Sequence, residues 1–253
     1  MKMDRHYSGA ILAFQFLTRL PMPRTEHFSS TDLSRSSLYF PLVGLVLGVM
    51  LAVILMLGAG LDPWAGAVLA LLFWVWVTGG LHLDGLGDLV DALGAAHGDP
   101  TRFHAVLKDP HVGSFAAIAL AMQLMTKLVF LMLLTREGGG WLLVPLLAWA
   151  RFGPLLWSAT LPVLRPPGAE GAGMGERFGW EIDKLAIIVM AILLVLPVIV
   201  APVLLAAPLA CGAWWLFLKY RLGGQTGDCL GAGVEMVESS ALAVMVLLIL
   251  MGV

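Results

Sequence analysis

Asp84, Asp88 and Asp91 stand at offsets of 0, 4 and 7 in the stretch GGLHLDGLGDLVD, from Gly79 to Asp91. On a helix of 3.6 residues per turn, these offsets put all three carboxylates on one face, stacked over two turns. Like charges so spaced weaken an isolated helix, and the pattern therefore asks for a cation. Carboxylate oxygens suit Mg²⁺, which keeps waters and binds through a few carboxylates together with substrate phosphates. One helix face supplies such a partial shell while leaving positions open, as an in-line phosphoryl transfer requires. A solvated loop with scattered acids is the plainer reading. It does not explain why the aspartates are embedded among Leu, Val and Gly directly after an apolar run.

Other residues extend this chemistry. His82 suits a general base or a residue that orients the acids, and equally an interfacial structural histidine. Gly79, Gly80, Gly85 and Gly87 let a backbone approach a phosphate or a neighbouring helix; the strand-glycine-lysine context of a P-loop is missing. In VLKDPHVGS, Val106 to Ser114, Pro110 favours a break before a new helix. There Lys108 can hold a phosphate as a point charge, and Asp109 can add a metal ligand or orient a hydroxyl. A loop lysine without a ligand is the alternative for Lys108.

The segment GGQTGDCLGAGVEMVE, Gly223 to Glu238, echoes the first motif by placing Asp228 and Glu235 seven residues apart. Asp228 suits the metal shell, a nucleobase or a ribose, with Glu235 beside it on the ligand. Capping and solvation form the alternative for this segment. Arg151 lies ten residues into an apolar run, where an arginine costs about 2.5–3.5 kcal/mol on insertion scales. It is expected to face the bundle interior and meet a site carboxylate or a substrate phosphate. Lys127, also within an apolar run, reaches water through a cavity or pairs with an acid.

The elements that must position these groups are membrane helices. Of the 253 residues, 59% are hydrophobic and 13% charged, against roughly 25% charged in a soluble globular chain. The expected fold is all-α, a polytopic helical membrane bundle forming a single catalytic domain over 1–253, with lipid as its surroundings. A core of about 30 Å needs around 20 mainly apolar residues. Leu38–Leu61, Trp64–Gly80, Val112–Leu134, Trp141–Leu161 and Leu185–Leu205 are read as spans, the last with kink-forming Pro197 and Pro202. Pro208–Leu218 and Ser239–Val253 are shorter, giving about seven spans, within a range of six to eight. Gly44 and Gly48 form a small-xxx-small pair suited to close helix contact. Ile11, Leu12, Phe14, Phe16, Leu17 and Leu20 suggest an interfacial helix within residues 1–23.

Charge placement orients the bundle. With seven spans and a cytoplasmic N-terminus, one side holds Lys2, Arg5, Arg19, Arg24, Arg35, Arg102, Lys108, Arg165, Arg177, Lys184, Lys219 and Arg221, and the other only Arg136. Twelve against one is the positive-inside pattern. It places the acids of loop 81–111, of loop 162–184 (Glu170, Glu176, Glu181, Asp183) and of segment 219–238 on the cytoplasmic face of an inner membrane. The formal net charge of -2 argues against nucleic acid as a partner. Cys211 reads as a small hydrophobe, and Cys229 beside Asp228 as a more exposed thiol with no nucleophile's histidine nearby. The oligomeric state stays open, a homo-oligomer included.

Taken together, these motifs resemble the cobalamin (5'-phosphate) synthase family of adenosylcobinamide-GDP ribazoletransferases. The resemblance runs through FLTRLP (Phe16 to Pro21), YFPLVG (Tyr39 to Gly44), GGLHLDGLGDLVD, KDPHVGS (Lys108 to Ser114), Ala150–Arg151, GQTGDCLGA (Gly224 to Ala232) and Glu235. Gly87 stands where the family pattern suggests alanine, a small-for-small difference. The resemblance implies a Mg²⁺-dependent membrane enzyme that transfers cobinamide phosphate from adenosylcobinamide-GDP to α-ribazole or α-ribazole 5'-phosphate and releases GMP. Two rival readings are a cation-coupled transporter, which predicts acids near the midplane, and a CDP-alcohol-type phosphotransferase, whose arginine after the second aspartate is absent. A third, a noncatalytic membrane scaffold, would make the acids incidental.

Overall fold

The computed structural model describes residues 5–23, 29–164 and 184–252. Lys2, Arg24, Arg165, Arg177, Glu170, Glu176, Glu181 and Asp183 lie outside the described residues. The described residues are almost entirely helical: α1 (Arg5–Leu17), α2 (Ser30–Ser36), α3 (Phe40–Ala59), α4 (Pro63–Thr78), α5 (Leu81–Ala96), α6 (Pro100–Val106), α7 (Ser114–Arg136), α8 (Leu143–Thr160), α9 (Lys184–Val195), α10 (Ala206–Phe217) and α11 (Gly227–Leu250). One isolated parallel bridge, Val163 with Gln225, is the only β pairing among the described residues.

Among the described residues, five continuous helical stretches are long and apolar enough to cross a membrane, or six if α4 and α5 count as one bent span. Six lies within the expected range of six to eight, one short of its centre at seven. The difference arises mainly at Leu185–Leu205. Pro197 and Pro202 cannot donate to a helix ladder, so α9 stops at Val195 and tighter turns follow, Leu196–Ile199 and Pro202–Leu205. The chain then continues as a 21-residue stretch, Pro202–Leu222, which absorbs the short Pro208–Leu218 segment. The last span is also longer than expected, running from Gly227 to Leu250 and taking in residues that the sequence suggests are loop.

α8 and α11 are the inner helices. α8 is buried on nearly every side, and its indoles anchor neighbours: Trp149 Nε1 donates to Leu194 O (2.9 Å) and Trp157 Nε1 to Cys211 O (3.1 Å). α3 lies backbone-to-backbone on α8, because a methyl at Gly44 would fall 2.3 Å from Leu147 O and one at Gly48 2.5 Å from Val144 Cα. α1 is not an isolated surface helix. Its Ile11, Leu12, Ala13 and Leu17 are buried, and Phe16 stacks on Phe40 of α3 at 6.0 Å.

Candidate active site

α5 owes its direction to two glycines. Gly79 and Gly80 have φ of +67° and +74°, left-handed values that side-chain-bearing residues rarely adopt. They turn the chain through 84° between α4 and α5. His82, Gly85, Leu86, Leu89 and Ala92 are buried on one flank of α5, while Asp84 is exposed and Asp88 and Asp91 are half-buried.

The buried flank receives α11. A methyl at Gly85 would stand 2.9 Å from Asp228 O, so the bare backbone there admits the first turn of α11 and brings Asp228 to the aspartate row. Thr226 caps that turn by accepting the Cys229 N–H at 3.2 Å. The segment before it is pinned by Gln225 N–H to Pro162 O (2.9 Å) and Leu164 N–H to Gln225 O (2.8 Å). Cys229 is fully buried by this packing rather than exposed beside Asp228, and neither cysteine is disulfide-bonded.

Two clefts meet at Asp84. The inner one, about 220 Å³, is lined by His82, Asp84 and Asp228 among apolar side chains. The outer one, about 600 Å³, is lined by Arg19, Thr18, Thr78, Gly79 and Gly80. They share Phe16, Leu81 and Asp84. His82 is 5% exposed, and its Nδ1 has no hydrogen-bond partner. A buried ring nitrogen without a partner is costly in a folded protein, and it leaves Nδ1 free to meet a bound group.

The carboxylates of Asp84, Asp228 and Asp91 lie close enough to repel that of Asp88. Among the described residues, no cation forms an ion pair with any of the four. The donors are hard oxygens with unbalanced negative charge, the chemistry that fits a divalent cation such as Mg²⁺. They do not make a closed cage: among the described residues no three His, Cys, Asp or Glu side chains are assembled to hold an ion. A partial set of this kind fits an ion whose remaining ligands are water and substrate phosphate.

Asp91 has a structural task within the row. Its Oδ2 accepts the Gly113 N–H at 2.6 Å and its Oδ1 the Ala116 N–H at 2.9 Å. Those amides begin α7, whose own Gly113 offers no capping side chain. An aspartate from α5 thus satisfies two of the free N–H groups at a helix start. Of the three aspartates in the row, Asp84 and Asp88 are left with their oxygens available.

Lys108 and Asp109 follow α6 on an exposed loop and line neither cleft. Asp109 is engaged by His111, whose ring Nδ1 is 2.6 Å from Oδ1 and whose backbone N–H donates to the same oxygen at 3.0 Å. Those bonds hold the Asp109 carboxyl below its ordinary pKa.

Arg151, Glu235 and Glu238 line neither cleft. Glu235 and Glu238 lie about 10 and 15 Å along α11 from Asp228, at 1.5 Å per residue. This corrects their assignment to the charged loop face. Arg151, 1% exposed, pairs through Nη1 with Glu238 Oε1. Lys127 pairs with Glu235 at 2.6 Å and also with Glu238, and its Nζ lies 4.3 Å from the centroid of the Trp74 ring. Gln123 Nε2 donates to Glu235 Oε2 at 2.7 Å. Two cations and two carboxylates neutralise one another inside the bundle, which is how charges persist in an apolar interior. Arg151 therefore meets a carboxylate as expected, but Glu238 rather than the aspartate row.

A model of the cobalamin-5-phosphate synthase family matches residues 9–246. The chain belongs to this family. An adenosylcobinamide-GDP ribazoletransferase of Laribacter hongkongensis is 54% identical over 234 residues, covering 92% of this chain and 93% of the relative. The corresponding relative in Thiobacillus denitrificans is 46% identical over 235 residues (92% and 93% covered). That of Novosphingobium aromaticivorans is 44% identical over 239 residues (92% and 94%). No solved structure matches the chain. Membership of the cobalamin-5-phosphate synthase family, with the apolar helices, makes it a multi-pass membrane transferase of cobalamin biosynthesis. The transporter, CDP-alcohol and scaffold readings are set aside by the same match.

One residue of this family member is not singled out by its sequence context. Arg19, within FLTRLP, lies against the α4–α5 turn and lines the outer cleft with Asp84. Its signal is slight: the polar pair Thr18–Arg19 interrupts an apolar run just before Pro21.

Proposed function

We infer that the protein is an adenosylcobinamide-GDP ribazoletransferase, an inference carried by the family match over residues 9–246. The reaction joins two halves of a corrinoid. A ribose hydroxyl of α-ribazole, or of its 5'-phosphate, attacks the phosphorus attached to cobinamide. A new P–O bond forms, the bond to the GMP phosphate breaks, and GMP leaves with the electron pair.

The clefts suit these roles. Asp84, Asp88 and Asp228 would hold Mg²⁺ against the substrate diphosphate. Bound there, the ion would supply positive charge to the diphosphate and to the departing oxygen. His82 Nδ1, unpartnered in the inner cleft, accepts the proton of the attacking hydroxyl. Asp91 supports this arrangement by fixing the start of α7 against α5. Phe16, Phe40 and Leu230 surround the inner cleft and limit water beside the reacting phosphorus.

The distribution of Lys and Arg favours the bacterial inner membrane, with both clefts facing the cytoplasm. The substrates are water-soluble nucleotide derivatives, and a cytoplasmic mouth lets them enter without crossing lipid.

The test is turnover by purified protein in lipid vesicles given adenosylcobinamide-GDP, α-ribazole and Mg²⁺. Release of GMP with formation of the joined corrinoid is expected, and chelation of Mg²⁺ should stop it. Folded protein that makes no such product would overturn the assignment. Running α-ribazole against its 5'-phosphate in the same assay identifies the preferred acceptor.

A further inference from the structure

The inner cleft is apolar over most of its wall. Phe40, Leu17 and Leu230, all almost wholly buried, line it together with Phe16 and Pro154. The Phe16 and Phe40 rings lie within 8° of parallel, their centroids 6.0 Å apart, and give the cleft a flat aromatic boundary. α11 adds bare backbone at Gly227 and Gly231. Among the described residues, the only polar side chains lining it are His82, Asp84 and Asp228. His82 is 5% exposed and its Nδ1 has no partner, so a bound group is needed there to complete its hydrogen bonding.

Size and polarity narrow what that group belongs to. At about 220 Å³ the cleft is smaller than the roughly 300–1,000 Å³ that a drug-sized ligand fills. It is larger than the roughly 150 Å³ in which a benzene sits. A single two-ring system fits, and a corrin macrocycle does not. Guanine has the right size, but its edge is crowded with donors and acceptors, each costly to bury without a partner. With Asp84 and Asp228 engaged by the cation, His82 Nδ1 alone would remain for them. The base of α-ribazole, dimethylbenzimidazole, is a flat bicycle whose outer edge carries methyl groups and no donor. Such a ring system gains from stacking on aromatic side chains.

We propose that the inner cleft seats the dimethylbenzimidazole base of α-ribazole against Phe16, Phe40 and Leu230, with its ribose beside His82 and Asp84. This rests on the ribazoletransferase reading, in which the reacting ribose hydroxyl meets His82 Nδ1. The base is joined to that same ribose and lies within the length of one sugar of His82. Of the two clefts that meet at Asp84, only the inner one is lined by His82. The nucleotide and corrin of the donor stay outside it.

Steady-state kinetics of Gly231→Ala in lipid test the seat. A methyl there would stand 3.6 Å from His82 Cα and 3.8 Å from Gly85 Cα, ordinary contact distances. Alanine also favours a helix over glycine, so the melting temperature should match or exceed the wild type. The methyl narrows the space between three residues that line the cleft. KM for α-ribazole should rise about 10-fold or more, the scale of one methylene in an apolar pocket. KM for adenosylcobinamide-GDP should hold. The riboside of unmethylated benzimidazole should lose less, shifting acceptor preference towards it. Phe16→Leu, which removes one ring face, should raise the α-ribazole KM about 3-fold and carries the test if Gly231→Ala melts early. An unchanged α-ribazole KM, equal losses for both acceptors, or a rise confined to the donor overturns the seat while the activity stands. Should the wild type make no product, the ribazoletransferase reading fails. Calorimetric binding of free dimethylbenzimidazole then decides the cleft: weaker binding to Gly231→Ala supports it, and equal binding or none overturns it.

Discussion

Asp91 and Gly113, 22 residues apart, are joined by a 2.6 Å hydrogen bond from the Gly113 N–H to the Asp91 carboxylate. With the second bond from Ala116, one member of an apparent metal-binding row becomes the cap of another helix. Asp91→Ala should therefore lower stability by about 1–2 kcal/mol, the usual loss for a cap. Asp91→Asn, which keeps one acceptor oxygen, should lose less. Thermal unfolding in detergent measures both, and an Asp91→Ala protein that melts with the wild type would remove the capping role.

Asp88 makes the opposite case. Its neighbours Asp84, Asp228 and Asp91 repel it, so Asp88→Asn relieves repulsion and should leave stability unchanged or raised. GMP release should fall on the order of 100-fold or more, the scale of losing one transition-state contact. Undiminished turnover would take Asp88 out of the cation's ligands.

Gly85 and Gly87, two residues apart on α5, should respond differently to alanine. At Gly85 the new methyl meets the Asp228 backbone at 2.9 Å and α11 must shift, costing about 1–3 kcal/mol as overpacking does. Activity should fall with it, since Asp228 moves away from Asp84. At Gly87 the nearest atom is Ala116 Cβ at 3.4 Å, and alanine there should be active and as stable as the wild type. Equal behaviour of the two variants would contradict the close approach of α5 and α11.

The Arg151–Glu238 pair separates a structural charge from a catalytic one. Arg151→Met leaves Glu238 without one of its two cations and should cost about 3–5 kcal/mol, as breaking a buried pair does. Arg151→Met combined with Glu238→Gln should recover much of that stability and also the turnover. A double variant that is stable but inactive would return Arg151 to the substrate.

Much of the site is legible in the order of its residues. The helix carrying Asp84, Asp88 and Asp91 and the break near Pro110 follow from local spacing and lie where expected, and Asp228 is signalled by a segment that echoes the first motif. The span count is less legible. Hydropathy measures apolar length, while Pro197 and Pro202 decide where the backbone can continue, so Leu185–Leu205 scores as a span and folds as a broken one. Glu235 and Glu238 read as loop acids for a related reason: only Lys127 and Arg151 on facing helices make their burial tolerable.

By itself, the sequence determined a helical membrane protein, a carboxylate row on one helix face and membership of a phosphoryl-transferring family. The first two depend on composition and on residues within two helical turns of one another, and the third on the resemblance of motifs spread from Phe16 to Glu235. Tertiary structure alone decided the partner of each charge: Gly113 and Ala116 for Asp91, Glu238 for Arg151, the α4–α5 turn for Arg19. Spacing fixes the angle at which a side chain leaves its own helix. It does not say which helix will stand opposite, and that choice separates an aspartate with free oxygens from a cap.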